Sequence, residues 1–166
     1  MNGLAGISAT LTLAGLAISI AAPARAADDL CALLAPADFE AAGVTGTRAP
    51  TKNPDQNGAY CVYAGKSSAT GGVEFDVFVT PNAAEGQAVY QEMRYSFPTT
   101  TAGPSVLRDA DQVEVAKLRG PPVYTSIIVR KGKLVFGIGV PANARSQDAV
   151  IALARLVLQR ADKLTR

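Results

Sequence analysis

Glu74 and Asp76 are the side chains of this sequence whose type and spacing come nearest to a catalytic pair. Two residues apart on a strand, they share one face. A carboxylate pair performs glycosidase chemistry only at a suitable separation around a deep cleft. On a half-buried strand, alternate acids otherwise form the solvated face. Asp109 and Asp111 offer a second acidic pair. With few oxygen ligands nearby and no EF-hand spacing, they read as a solvated turn rather than a cation site. The chain has no histidine, which removes Ser-His-Asp and Cys-His catalysis and the usual imidazole metal sites. No G-x-S-x-G or P-loop pattern occurs. Residues 137–142, Gly-Ile-Gly-Val-Pro-Ala, fit G-x-G-x-x-A. A dinucleotide fold needs a further parallel strand after the next helix, and none is expected here, so these glycines read as small residues within a strand. No cofactor, no metal and no enzymatic activity are expected.

Cys31 and Cys61 are the two cysteines. An even count in an oxidising compartment reads as a disulfide. The alternative, a redox-active or metal-binding pair, lacks C-x-x-C spacing and a histidine partner. Closing a loop of about 31 residues contributes about 3.7 kcal/mol on the chain-entropy model.

Two further groups read as a possible interaction surface. Arg130, Lys131 and Lys133 form the densest basic cluster, at a hairpin tip. Three charges bind an anionic polymer weakly at physiological salt, and lysines at such tips also serve solubility. Arg119 and Pro121, in the Arg-Gly-Pro-Pro stretch, precede Tyr124. Stiff prolines beside an exposed aromatic favour binding, although a turn that ends one strand and starts the next is the preferred reading.

The elements that must hold these residues begin with a leader. Residues 4–22 are uncharged and mostly apolar, Pro23 breaks the run, and Ala24-Arg25-Ala26 ends it with small residues. This is a secretory signal peptide over residues 1–26, cleaved after Ala26 or, alternatively, after Ala27. A retained membrane anchor is the competing reading. Met1-Asn2-Gly3 carries no Lys or Arg, so translation is expected to start upstream and supply a basic segment. Cys31 follows Asp28 and Asp29 and does not sit in a lipobox. The formal charge of +2 falls to about +1 without Arg25, which gives no steering field for nucleic acid or an anionic membrane.

Residues 27–166 are expected to form one exported domain. Pro36 opens a short helix over 36–42, with Gly43 behind it. Residues 44–59 read as a loop, and Tyr60-Cys61-Val62-Tyr63 as a strand. Val73, Phe75, Val77 and Val79 alternate with Glu74 and Asp76, while Phe78 breaks the polar side. Asn82 with Glu85 caps a helix whose apolar face is Gly86, Val89, Tyr90, Met93 and Phe97. Residues 97–104 read as an irregular connector. Strands follow near 112–118, 123–129 and 133–140, the last two joined at Lys131-Gly132, then a helix over 146–164. The order α-β-β-α-β-β-β-α predicts an α+β fold, an antiparallel sheet with helices packed on one face.

Leu30-Cys31-Ala32-Leu33-Leu34-Ala35-Pro36-Ala37-Asp38-Phe39, followed by Gly43 and by Tyr60-Cys61-Val62-Tyr63, resembles a pattern in small exported domains and lipoproteins of uncharacterised function. Those run Cys-x-Leu-Leu-Thr-x-x-Glu-Val to a Gly and then a second Cys on a strand. The hairpin Ile127 to Leu134 and the Leu-rich helix over 149–158 extend the likeness. It implies the disulfide and the α+β fold and carries no catalytic residues. Ala35 departs from the usual Thr, so this helix lacks a side-chain cap worth about 1 kcal/mol.

The function expected is a periplasmic or secreted, non-enzymatic domain that binds a protein or cell-envelope component. No nucleic-acid partner and no stable membrane anchor after cleavage are expected. Two alternatives stand beside it: a hydrolase using Glu74 and Asp76, and a carrier of a small apolar ligand in an enclosed cavity.

Overall fold

The structure is a computed structural model that describes residues 30–55, 58–64, 72–118, 123–143 and 145–162. The expected leader, Arg119 and Pro121 lie outside the described residues.

Ten elements follow in order: α1 (Pro36–Ala41), β1 (Thr51–Asp55), β2 (Gly58–Tyr63), β3 (Val73–Val79), α2 (Ala83–Tyr95), β4 (Thr100–Ala102), β5 (Gln112–Leu118), β6 (Tyr124–Lys131), β7 (Leu134–Pro141) and α3 (Ser146–Ala161). The α+β class holds, and seven antiparallel strands form one sheet in the order β1-β2-β3-β7-β6-β5-β4. Two meanders, β1-β2-β3 and β4-β5-β6-β7, meet where β3 pairs with β7. The G-x-G-x-x-A stretch therefore starts inside an antiparallel strand.

The element order differs from the expected one by two strands. β1 lies in the stretch read as a loop, with Pro54 inside it. An edge strand tolerates a proline because one side of its backbone needs no ladder bond. β4 is three residues of the expected connector, pairing with β5 at Thr100↔Ala116. In both cases pairing with a neighbour overrides local breaker signals.

The helices do not share one face, which corrects the expected packing. α1, α3 and the turn at Leu30–Leu34 pack on the face formed by Cys61, Tyr63, Phe75, Val77, Ile127, Val129, Phe136 and Ile138. α2 packs on the other, where Tyr90 meets Ile128 and Val135, with Phe78, Val89, Met93 and Phe97 around them. The reason is that β6 and β7 are apolar on both sides: Ile128 and Val135 would face water without α2.

The caps follow the local sequence. The Asn82 side chain accepts from the Glu85 amide at 2.9 Å and donates to its carboxylate at 2.6 Å. At α1 the Asp38 carboxylate accepts from the Ala35 amide at 2.7 Å, half of a capping box without the side-chain cap at Ala35. The β6–β7 turn is Gly132-Lys133, one residue beyond the expected pair, with Gly132 at φ +58°.

Cys31 and Cys61 form a disulfide across a Cα–Cα distance of 5.8 Å, inside the main core. The buried Tyr63 hydroxyl lies 2.7 Å from the Cys31 carbonyl and 2.8 Å from that of Leu34, and can donate to either. Phe39 packs against the Tyr63 ring with centroids 4.6 Å apart and the planes tilted by 58°. The N-terminal turn is thus held to β2 by a covalent bond, a hydroxyl and a ring pair.

Candidate functional site

Strand alternation sends Glu74, Asp76 and Phe78 to the face covered by α2. The register then fixes their neighbours. Tyr60 of β2 stands beside Asp76, Gly137 of β7 lies on its other side, and Ile128 and Glu114 continue the row. Glu74 stands beside Val62 and Gly139, with Ser126 next along.

Gly137 and Gly139 leave gaps in this face. A Cβ at Gly137 would come within 2.7 Å of the Met93 methyl, and one at Gly139 within 3.2 Å of the Ser126 hydroxyl. α2 ends above this point, so Met93, Ser96 and Phe97 form a partial roof. The result is an open cavity of about 230 Å³ with Glu74, Asp76 and Ser126 along its floor. The carboxylates sit in a cleft with apolar walls instead of pointing separately into solvent.

Burial, and secondly the charge of Glu74, push the Asp76 carboxyl up to about 6. The Tyr60 phenol is pushed up to about 12 by burial first, then by the charges of Glu74 and Asp76, and it hydrogen-bonds Glu74. Burial and Glu74 also raise Tyr124, whose hydroxyl takes a hydrogen bond from the Gly72 amide. Two tyrosines from different strands therefore flank the acidic pair.

Glu114, on the same face, is handled differently. Burial raises its carboxyl, but hydrogen bonds from Thr100, Arg94 and Tyr90 outweigh that and hold it below the usual range. The Arg94 guanidinium lies 2.9 Å from it. The other ion pairs among the described residues join Arg130 to Asp111, Lys131 to Asp162 and Arg160 to Asp38. None involves Glu74 or Asp76.

The residues expected to form an interaction surface are spread out. Tyr124 borders the cavity at the start of β6, whereas Arg130 and Lys131 lie at its other end. Arg130 pairs with Asp111 at 3.0 Å and donates to Gln112 at 2.9 Å. Lys131 reaches Asp162 at 2.8 Å, and Lys133 is exposed on the turn. Asp111 also accepts from the Gly132 amide at 2.8 Å, so it locks the hairpin. A second hollow, of about 150 Å³, lies between Leu107 and the end of α3. Among the described residues no group of three or more His, Cys, Asp or Glu side chains could hold a metal.

The sequence reading placed Tyr60 in a strand and Met93 on a helix face, and assigned neither of them, nor Ser126, to a site. Their signal is register: each joins the site only through a partner on another strand or helix. Comparison with models of known protein families and with curated protein sequences finds no match.

Proposed function

We propose that this is an exported, non-enzymatic domain that binds a protein or cell-envelope component, and that the cavity over Glu74 and Asp76 is where it binds. The single observation behind this reading is the cavity itself: a roofed hollow whose floor carries polar groups and whose walls are apolar. At about 230 Å³ it is smaller than the roughly 300–1,000 Å³ of a pocket for a drug-sized molecule. It suits one protruding group of a larger partner. Two carboxylates on its floor make it a poor carrier for an apolar ligand.

Export is supported by the disulfide, which persists in oxidising compartments. Among the described residues, no helix is long and apolar enough to cross a membrane. The kinship with small exported domains and lipoproteins is part of the same proposal, resting on the cysteine framework and the Leu-Leu turn.

The test is amide mapping by NMR on labelled mature protein, titrated with soluble peptidoglycan fragments and with solubilised envelope protein. Shifts at Glu74, Asp76, Gly137 and Gly139, absent in Gly137→Val, are expected. Shifts confined to another surface, or none with either material, count against it.

A carboxylate-dependent hydrolase is the second reading, favoured by an acid titrating near 6 beside another carboxylate. It requires glycosidic turnover that disappears in Asp76→Asn. A wild-type protein without turnover on cell-wall glycan ends it.

A further inference from the structure

Glu74, Asp76 and Glu114 lie on the face under α2, and the fold supplies a cation to Glu114. Glu114 receives Arg94, with Tyr90 and Thr100 donating as well. Glu74 and Asp76 line an open cavity and take part in none of the ion pairs among the described residues. Burying a carboxylate without a counter-charge is costly, and the cost is recovered when a cation arrives.

Resting on the cavity reading above, we propose that the group received there is the ammonium end of a lysine-type alkyl side chain on the partner. The shape of the site argues for the alkyl stem. Met93 and Phe97 roof the cavity, and the acids lie along its floor. A lysine-type chain has the matching division: methylenes that pack on apolar surface and a charged head that seeks polar groups. Its three N–H donors meet Glu74, Asp76 and Ser126, which line the cavity together. A neutral sugar would leave the charges uncompensated, and an anionic group would be repelled.

The charged groups around the site point the same way. β3 contributes Glu74 and Asp76, β2 contributes Tyr60 and β6 contributes Tyr124. From α2 the lining residues are Met93, Ser96 and Phe97, with Arg94 turned to Glu114. Asp76 ionises near pH 6, so occupancy is expected to rise as pH passes through that value.

The experiment titrates the mature domain with Nα-acetyl-lysine amide and with its Nε-acetylated counterpart, following the amides of Gly137 and Gly139. The lysine probe is expected to shift them and to bind about tenfold more tightly than the neutral probe, since hydrogen bonds to charged groups carry that much. Asp76→Asn and Glu74→Gln should each weaken the lysine probe about tenfold, and added salt should weaken it further. Equal binding of both probes, or no binding of the lysine probe at millimolar concentration, overturns the cation assignment. The broader cavity reading falls separately, when envelope material also leaves these amides unmoved.

Discussion

Arg160, near the end of α3, grips Asp38 of α1 through two parallel hydrogen bonds, of 2.6 and 2.8 Å. The same guanidinium donates to the Leu33 carbonyl at 2.8 Å. One residue thus ties the last described helix to the first. Its hydrogen bond pulls the Asp38 carboxyl below the usual range, with the Ala35 amide helping and burial opposing. A depressed carboxyl stabilises the fold above its unfolded pKa, and this is lost as pH falls through the lowered folded value. Arg160→Gln is expected to cost about 1–2 kcal/mol at neutral pH, discounted for partial solvent exposure. In urea titrations the difference from wild type should shrink in strong acid. An undiminished difference there would mean that the side chain acts through packing and its bond to the Leu33 carbonyl, not through the Asp38 charge.

Asp76 has the opposite sign. An unfolded aspartate titrates at about 3.9. Folded Asp76 titrates at about 6, so the native state holds its proton more tightly. It costs no stability below about pH 4, and the cost is complete above about pH 6. Asp76→Asn should therefore stabilise the protein by about 3 kcal/mol at pH 7.5, with no gain at pH 4. Denaturant midpoints at the two pH values check this.

Gly86 sets helix propensity against space. Alanine is better than glycine in a helix by about 1 kcal/mol. A Cβ here would sit 2.7 Å from the Gly132 carbonyl oxygen and 3.2 Å from the Thr80 hydroxyl. The nearer atom is backbone, in a turn held by the Thr80 amide and hydroxyl at Lys133. Gly86→Ala is expected to lower stability despite its propensity, read as a lower thermal midpoint. A gain would show that α2 can lift from the hairpin at little cost.

The disulfide should be closed in protein from an oxidising compartment and slow to reduce, because Cys31 and Cys61 are 1% and 0% exposed. Intact-mass measurement with reductant, before and after denaturation, tests both points. Replacing both cysteines by serine is expected to cost roughly 3–4 kcal/mol.

How far the sequence was readable depends on how local each signal is. The alternation over Val73–Val79 showed which side chains share a face, and Phe78 on the acidic side was a trace of the second cover. The stripe from Gly86 to Phe97 named the buried side of α2 but not which sheet face it meets, since a stripe carries no such label. β1 and β4 were hidden because breakers, Pro50 and Pro54 at β1 and Pro98 and Pro104 around β4, lie in or beside them while pairing decides their state.

The site divides in the same way. That Glu74 and Asp76 point together followed from their spacing. That they share a hollow depends on Gly137 and Gly139 lying alongside and on where α2 stops. Arg130 and Lys131 looked like surface charge because their partners, Asp111 and Asp162, lie 19 and 31 residues away. Only the folded chain brings them together.

β7, the last of the described strands, occupies the middle of the sheet, between β3 and β6. Because the chain is made from its N-terminus, β1-β2-β3 and β4-β5-β6 have no shared edge until Leu134–Pro141 is made. Assembly therefore waits on pairings distant in sequence, and the topology is expected to fold more slowly than a helical bundle. A chain shortened before β7 would have no seam along which its halves could join.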